Sequence, residues 1–441
     1  MEVLEKKSIE RYPDYKDSGI EWLGEIPEHW DVESFKNILT ERNEKNNPIR
    51  TTEILSLSID KGVTLYAEKT TNLDRFKDDF TQYKLAYKGD LVLNSMNMIV
   101  GAVGISDYFG CVSPVYYTYH GGLNNYYTTK FYEYLFRCKI VQGVLYSLGR
   151  GLIAIDRGEG KYNTLRLKVS RDDLRSLRLP YPNLPEQTAI TTFLDRKIAL
   201  IDQAIGIKEK LIVLLKERRQ ILIHKAVTRG INPKVKLKDS GVRWIGDIPV
   251  NWEVKRLKYI ANLISIKMAS KANPLSYIGM ENIESWTGIF IATETETEGL
   301  ASYFNKGDIL FGKLRPYLAK VYLAKKEGIC STEFLIYRAS DNIYNWYLNL
   351  LMRSFEFIKL IDSSTYGSKM PRANSDFIGN QLIPIPSKTE QISIFEYIDE
   401  VSLKIASAIS LKQKEIEKLQ EYKGSLINNA VTGKIKVPND Q

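Results

Sequence analysis

Few side chains in this 441-residue chain have the type and spacing that catalysis needs. The three histidines, His29, His120 and His224, lie far from one another and from Cys111, Cys138 and Cys330, so the spacing of a zinc site is missing. Gly158-Glu-Gly-Lys-Tyr162 contains a Gly-Lys pair but neither the following Ser/Thr nor the glycine six residues before the lysine, so it cannot cradle a nucleotide phosphate. No Gly-x-Ser-x-Gly elbow occurs. The Asn/Asp-Pro-Pro-aromatic tetrapeptide of amino-group methyltransferases is also absent; Asn47-Pro48 and Asn273-Pro274 are single-proline turns. The chain reads as a protein that binds rather than catalyses, with no cofactor or metal of its own, although a carboxylate acid/base pair stays open as an alternative.

The residues that could bind are basic and amide side chains in loops. Gly312-Lys-Leu-Arg-Pro-Tyr-Leu-Ala-Lys320 offers Lys313, Arg315, Tyr317 and Lys320 around a proline-set turn. Arg315 suits a bidentate contact with a guanine edge, and the lysines suit phosphates. Lys369 and Arg372 follow in Tyr366-Gly-Ser-Lys-Met-Pro-Arg-Ala-Asn374. Earlier in the chain, Asn94 and Asn97 suit adenine edges, and Arg150 and Arg157 stand in Gly149–Arg157. Solvated loop charges and ordinary turn asparagines are the competing reading of all ten positions.

These loops sit in corresponding places because the chain is written twice. Asp17-Ser-Gly-Ile-Glu-Trp-Leu-Gly-Glu-Ile-Pro-Glu-His-Trp returns as Asp239-Ser-Gly-Val-Arg-Trp-Ile-Gly-Asp-Ile-Pro-Val-Asn-Trp, 222 residues on. Gly89-Asp-Leu-Val-Leu93 returns as Gly307-Asp-Ile-Leu-Phe311, offset 218, and Pro185-Glu-Gln187 with Ala226-Val-Thr228 returns as Thr389-Glu-Gln391 with Ala430-Val-Thr432, offset 204. The frame repeats while the loops differ: Asn94 faces Gly312, Ser95 faces Lys313 and Asn97 faces Arg315. One scaffold carrying two loop chemistries would read two sequences. The tryptophans of the first block are expected to be core anchors.

β-Branched and aromatic runs at 90–94, 115–119, 308–311 and 334–337 predict strands, and apolar stretches at 130–148 and 346–361 predict helices packed on them. Then a heptad seam begins. It passes through Ile198, Ile201, Ile205, Ile212, Leu215 and Leu222, and is answered by Ile405, Ile409, Ile416, Leu419 and Leu426. A stripe spanning about 40 residues, about 60 Å of helix, is too long to bury against one small domain. The seam therefore predicts an antiparallel coiled-coil pair with these residues at its interface, and each helix packing only on its own domain is the alternative. The fold class is α+β: two α/β recognition domains separated by the long helix pair, with an internal pseudo-twofold repeat. The divisions fall at 1–185 (first domain), 186–230 (central helix), 231–388 (second domain) and 389–441 (distal helix and tail).

Composition agrees with a binder of polyanions. Lys plus Arg number 62 against 53 Asp plus Glu, a net charge of +9. Three scattered cysteines fit a reducing cytoplasm, and neither a secretory leader nor a membrane span is expected.

The duplicated Asp-Ser-Gly-x-x-Trp-x-Gly-x-Ile-Pro-x-x-Trp, the Gly-Asp-Ile-Leu-Phe-Gly-Lys-Leu-Arg-Pro-Tyr run with Cys-Ser-Thr-Glu-Phe at 330–334, and Glu-Gln opening a long heptad helix resemble the specificity subunit of Type I restriction-modification systems. The resemblance covers nearly the whole chain. It implies a non-catalytic subunit whose two target-recognition domains each read half of a bipartite site in double-stranded DNA, with the helices as a ruler between them. It further implies two adenine-methyltransferase partners that carry S-adenosylmethionine, and two restriction subunits that use ATP and Mg where cleavage is performed. The first domain departs from the second at Asn94-Ser-Met-Asn-Met, so contacts do not transfer between the loops. A bivalent DNA-binding or scaffold protein without methyltransferase partners is the alternative, separable by co-purification.

Overall fold

A computed structural model describes residues 10–69, 79–122, 126–152, 166–271, 273–293, 299–365 and 369–438. The chain divides into two units, 1–207 with 415–441, and 208–414.

In the first unit the repeated tryptophan motif forms a hairpin, Tyr15–Asp17 with Glu25–Pro27. Asp31–Ser34 then pairs with Arg178–Tyr181, so the start and end of the domain are stitched together. The central antiparallel sheet runs Thr40–Glu41, Tyr116–His120, Leu91–Asn94, Val103–Ile105. Its buried face packs on helices Tyr126–Arg137 and Lys139–Leu148. Trp30 is fully buried in that core and takes no part in the surface.

The second unit repeats this frame. Leu237–Asp239 pairs with Asp247–Pro249, and Glu253–Arg256 with Leu382–Ile385. The sheet Ala261–Ile264, Phe334–Ala339, Ile309–Gly312, Val321–Leu323 packs on helices Asn345–Met352 and Phe355–Ser363, with Trp252 buried. A second four-stranded sheet, Lys267–Ala269, Leu300–Phe304, Gly328–Ser331, Tyr277–Ile278, lies beside it, with its own small core around Phe304 and Cys330.

The long helices are Leu184–Arg229 and Lys388–Val431, 46 and 44 residues, hence about 69 and 66 Å at 1.5 Å per residue. Pro185 stands in the first turn of the former, where its missing N–H costs nothing. Within the first unit, the beginning of one helix lies by the end of the other. Glu186 accepts a hydrogen bond from the Tyr12 hydroxyl at 2.5 Å, next to Lys436, whose strand bridge is with Glu10, while sixteen residues further on Asp202 pairs with Lys423 at 2.7 Å. The two segments therefore run antiparallel there. In the second unit, Val227 accepts from the Tyr347 hydroxyl, which also donates to Pro384 O, and Glu390 accepts from the Trp252 indole, so the end of the first helix meets the start of the second. The seam residues Ile201, Ile405, Ile416 and Leu426 are buried and the others half-buried.

Candidate nucleic-acid interface

In the second unit the chain leaves the sheet at Gly312. Gly312 N donates to Lys320 O (2.9 Å) and Lys313 N to Glu333 O (2.9 Å), which closes the loop at its base. A Cβ at Gly312 would fall 2.7 Å from the Met280 methyl carbon, the free end of a flexible side chain, and 3.1 Å from Lys320 O, so glycine lets the loop base close without displacing either neighbour. The loop turns through Arg315 and Ala319, both left-handed (φ 51° and 49°), around the short turn Pro316–Leu318. The other basic segment docks on it: Arg315 N donates to Pro371 O (2.8 Å), Ala373 N to Lys313 O (2.8 Å), and Leu314 bridges Arg372. Two loops more than 50 residues apart in sequence thus lie side by side.

Their side chains have different roles. Arg315 and Lys369 are exposed, Tyr317 is 44% exposed, and Lys313 is half-exposed. Lys320 instead reaches back, its Nζ donating to Met280 O at 2.6 Å. Arg372 is held bidentately by Glu333, at 3.1 Å for both bonds. The sequence reading treated Lys320 and Arg372 as DNA ligands and missed Glu333 and Met280, because neither partner is near them in sequence.

Trp286 was missed as well. Its φ is 64°, and with Arg315 and Ala319 it completes the positive-φ residues other than glycine among the described residues; its N–H donates to Ala319 O (3.3 Å). Each such residue costs about 1–3 kcal/mol, and strain of this kind gathers where a surface is being shaped for use. Behind Trp286, which stacks on Phe355, a cavity of about 660 Å³ opens along the first long helix at Arg219, Gln220 and His224. Burial pushes the His224 imidazole below the usual histidine range, Glu356 pulls it back and Arg229 adds to the depression. Arg353, half-buried nearby, is brought down to about 10 by burial and by the charge of Arg219.

The corresponding place in the first unit looks different. Asn94 is only 8% exposed, and its Oδ1 accepts from Met96 N (3.1 Å), so it shapes the turn and is withdrawn from any base edge. Asn97 is exposed at the head of the turn Met98–Val100. Val169 N donates to Ser95 O (3.0 Å), the equivalent of the Ala373 to Lys313 bond. Arg150 is 80% exposed, 3.5 Å from Asp173. Arg157 lies outside the described residues.

Chemistry other than binding finds little support here. All three cysteines are free and buried, with burial raising the Cys111 thiol to about 11 and Cys330 to about 12. No group of metal-holding side chains occurs among the described residues, and none of their helices is long and apolar enough to cross a membrane.

Residues 249–421 match the Type I restriction modification DNA specificity domain. The chain is 27% identical over 321 residues to the Type I restriction enzyme EcoDI specificity subunit of Escherichia coli, a match spanning 64% of this chain and 70% of that protein. Over these regions the chain is similar to the specificity subunits of Type I restriction enzymes. A second relative is the MjaVIII specificity subunit of Methanocaldococcus jannaschii, 25% identical, with 62% of this chain and 65% of that one covered. The fold is shared with a solved chain from work on complex assembly and conformational transition of the type I R-M system, at TM-score 0.66 and 13% identity, covering 92% of this chain and 98% of that chain. Both relatives are named as specificity subunits of Type I restriction enzymes.

Proposed function

We propose that this specificity subunit reads a bipartite target in double-stranded DNA, one half with each recognition domain (1–185 and 231–388). The long helices set the spacing between the half-sites and carry two adenine-methyltransferase subunits, which bring S-adenosylmethionine. Two restriction subunits, with ATP and Mg, join where cleavage is performed, and the assembly works on DNA in the cytoplasm. The observation that carries this reading is the repeated frame with unlike loops at one place. Arg315, Tyr317 and Lys369 project from paired loops in the second unit, where Asn97 and Arg150 stand in the first. In this reading Arg315 contacts a base edge, and Lys313 and Lys369 contact phosphates. Affinity comes largely from phosphates, with the partners adding to the grip.

The test is sequencing of methylated sites in a host expressing the subunit with its methyltransferase. Arg315→Ala is expected to relax one half of the motif by about 1–3 kcal/mol per base pair and leave the other half unchanged. Loss of specificity in both halves, or in neither, would overturn the assignment of that loop.

A further inference from the structure

The first unit contains a cationic cavity that no sequence motif announced. It has a volume of about 620 Å³ and is walled by Lys84, Arg150, Lys168 and Arg171, with Tyr117 and Val115 between them. Lys84 is 8% exposed and donates to Tyr116 O at 2.8 Å, one bond from an ammonium that carries three N–H groups. The Tyr117 ring supports two of the cations, with Lys84 Nζ 5.6 Å and the Arg171 guanidinium 5.9 Å from its centroid.

Acidic groups are present but pair with only two of the four cations. Glu41 lies 3.0 Å from Arg171 and Asp173 lies 3.5 Å from Arg150, while Asp172 lines the rim. Among the described residues no carboxylate is paired with Lys84 or Lys168. Burial lowers the pKa of the Lys84 ammonium, and the charges of Arg171 and Lys168 lower it further, against a pull from Glu41. An unpaired, half-desolvated ammonium facing like charges is costly, and an anion entering the cavity would remove that cost.

The second unit shows what the same place looks like without the need for an anion. Lys84 pairs with Val112 across the sheet as Ser302 pairs with Cys330, so Ser302 stands where Lys84 does. The strand register likewise puts Glu333 at Val115 and Leu335 at Tyr117, and the 204-residue offset puts Arg372 at Lys168 and Ser375 at Arg171. Lys267 is also there and bonds Ser302 Oγ at 2.8 Å. Arg372, the cation that both units keep at this position, is occupied by Glu333.

We propose that the first-unit cavity binds a phosphate of the DNA backbone, with Lys84 and Lys168 as its ligands and Arg150 and Arg171 as flanking cations. Glu333 takes the corresponding role inside the second unit. This rests on the DNA-reading function above, and it adds an asymmetry: the first unit grips the backbone at a place where the second pairs its arginine, Arg372, with Glu333.

Lys168 and Val115 are exposed, so Lys168→Gln and Val115→Glu should leave folding intact, unlike a change at Lys84. Duplex binding by the full subunit with its methyltransferase is measured by fluorescence anisotropy over a series of KCl concentrations. Each variant is expected to weaken binding about three- to tenfold near 0.1 M salt and to reduce the slope of log K against log salt by about 1. Wild-type slope and affinity in both variants would overturn the site while leaving the DNA-reading function standing. Absence of duplex binding by the wild type would overturn that function itself. In a parallel arm, inorganic phosphate is compared with chloride at equal ionic strength in thermal unfolding. Stabilisation that both variants abolish, with duplex binding unchanged, would assign the cavity to free phosphate and overturn the DNA source.

Discussion

Both units bury an aspartate at the head of the central strand, Asp90 in one and Asp308 in the other, but they neutralise it from different strands. Arg42, next to the edge strand, holds Asp90 with bonds of 2.7 and 3.2 Å. Arg338, on the neighbouring strand Phe334–Ala339, holds Asp308 with bonds of 2.8 and 2.7 Å. The same contrast recurs elsewhere. Lys423 on the second long helix has Asp202 as its partner, whereas Arg219, its counterpart 204 residues earlier, would meet Ala406 and has its Nε without a partner. His224 in the second unit stands at the position of Asn428 in the first. Duplication preserved the positions that must be filled, and each copy found its own way to satisfy charge. The recognition loops are the extreme case, because nothing in the core constrains them.

The comparison can be broken most forcefully at the aspartates. Arg338→Ala and Arg42→Ala each strand a buried carboxylate, and each is expected to destabilise its unit by about 3 kcal/mol. Thermal unfolding followed by hydrogen exchange in each unit would show it; a loss in one unit only would mean that the two solutions are not equivalent.

A smaller, pH-dependent difference comes from His224. Its folded pKa lies below the unfolded value, so the unfolded chain binds the extra proton first, and stability falls as pH drops through the ordinary histidine range near 6.5. The second unit should lose stability between about pH 7 and 5 relative to the first. His224→Asn, which copies the first unit, should flatten that difference. Equal acid sensitivity of wild type and variant in chemical denaturation would remove His224 from the account.

The smallest effect is expected on the helices. Ala406→Asp supplies Arg219 with the partner that Lys423 already has, for a gain of about 0.5 kcal/mol that fades at high salt. A chemical-denaturation midpoint unchanged at low salt would show that Arg219 is committed to the cavity beside Trp286 instead.

The strands Leu91–Asn94, Tyr116–His120, Ile309–Gly312 and Phe334–Ala339 were legible because each is a short β-branched or aromatic run bounded by turn residues. The long helices were legible from their seam. The sheet that includes Lys267–Ala269 and Tyr277–Ile278 was not, since three-residue and two-residue strands carry no period. Of the loop residues singled out for chemistry, Arg315 and Lys369 came out exposed, Asn94 took the local turn role by accepting from Met96 N, and Lys320 turned inward to Met280 O, a distant acceptor that no local pattern names.

By itself the sequence determined the repeat, the resemblance to a family, the strand and helix frame, and the absence of a recognisable catalytic motif. These are properties of residue order and spacing, which pleat and helix periods translate directly. The tertiary structure alone decided which cations are paired with carboxylates and which stand beside other cations. Whether Arg372 is neutralised by Glu333, or Lys84 left beside Lys168 and Arg171, depends on strand register bringing distant residues within a few ångströms, and charge at that range outweighs composition. The net charge of +9 said that an anion was welcome; only the fold said where.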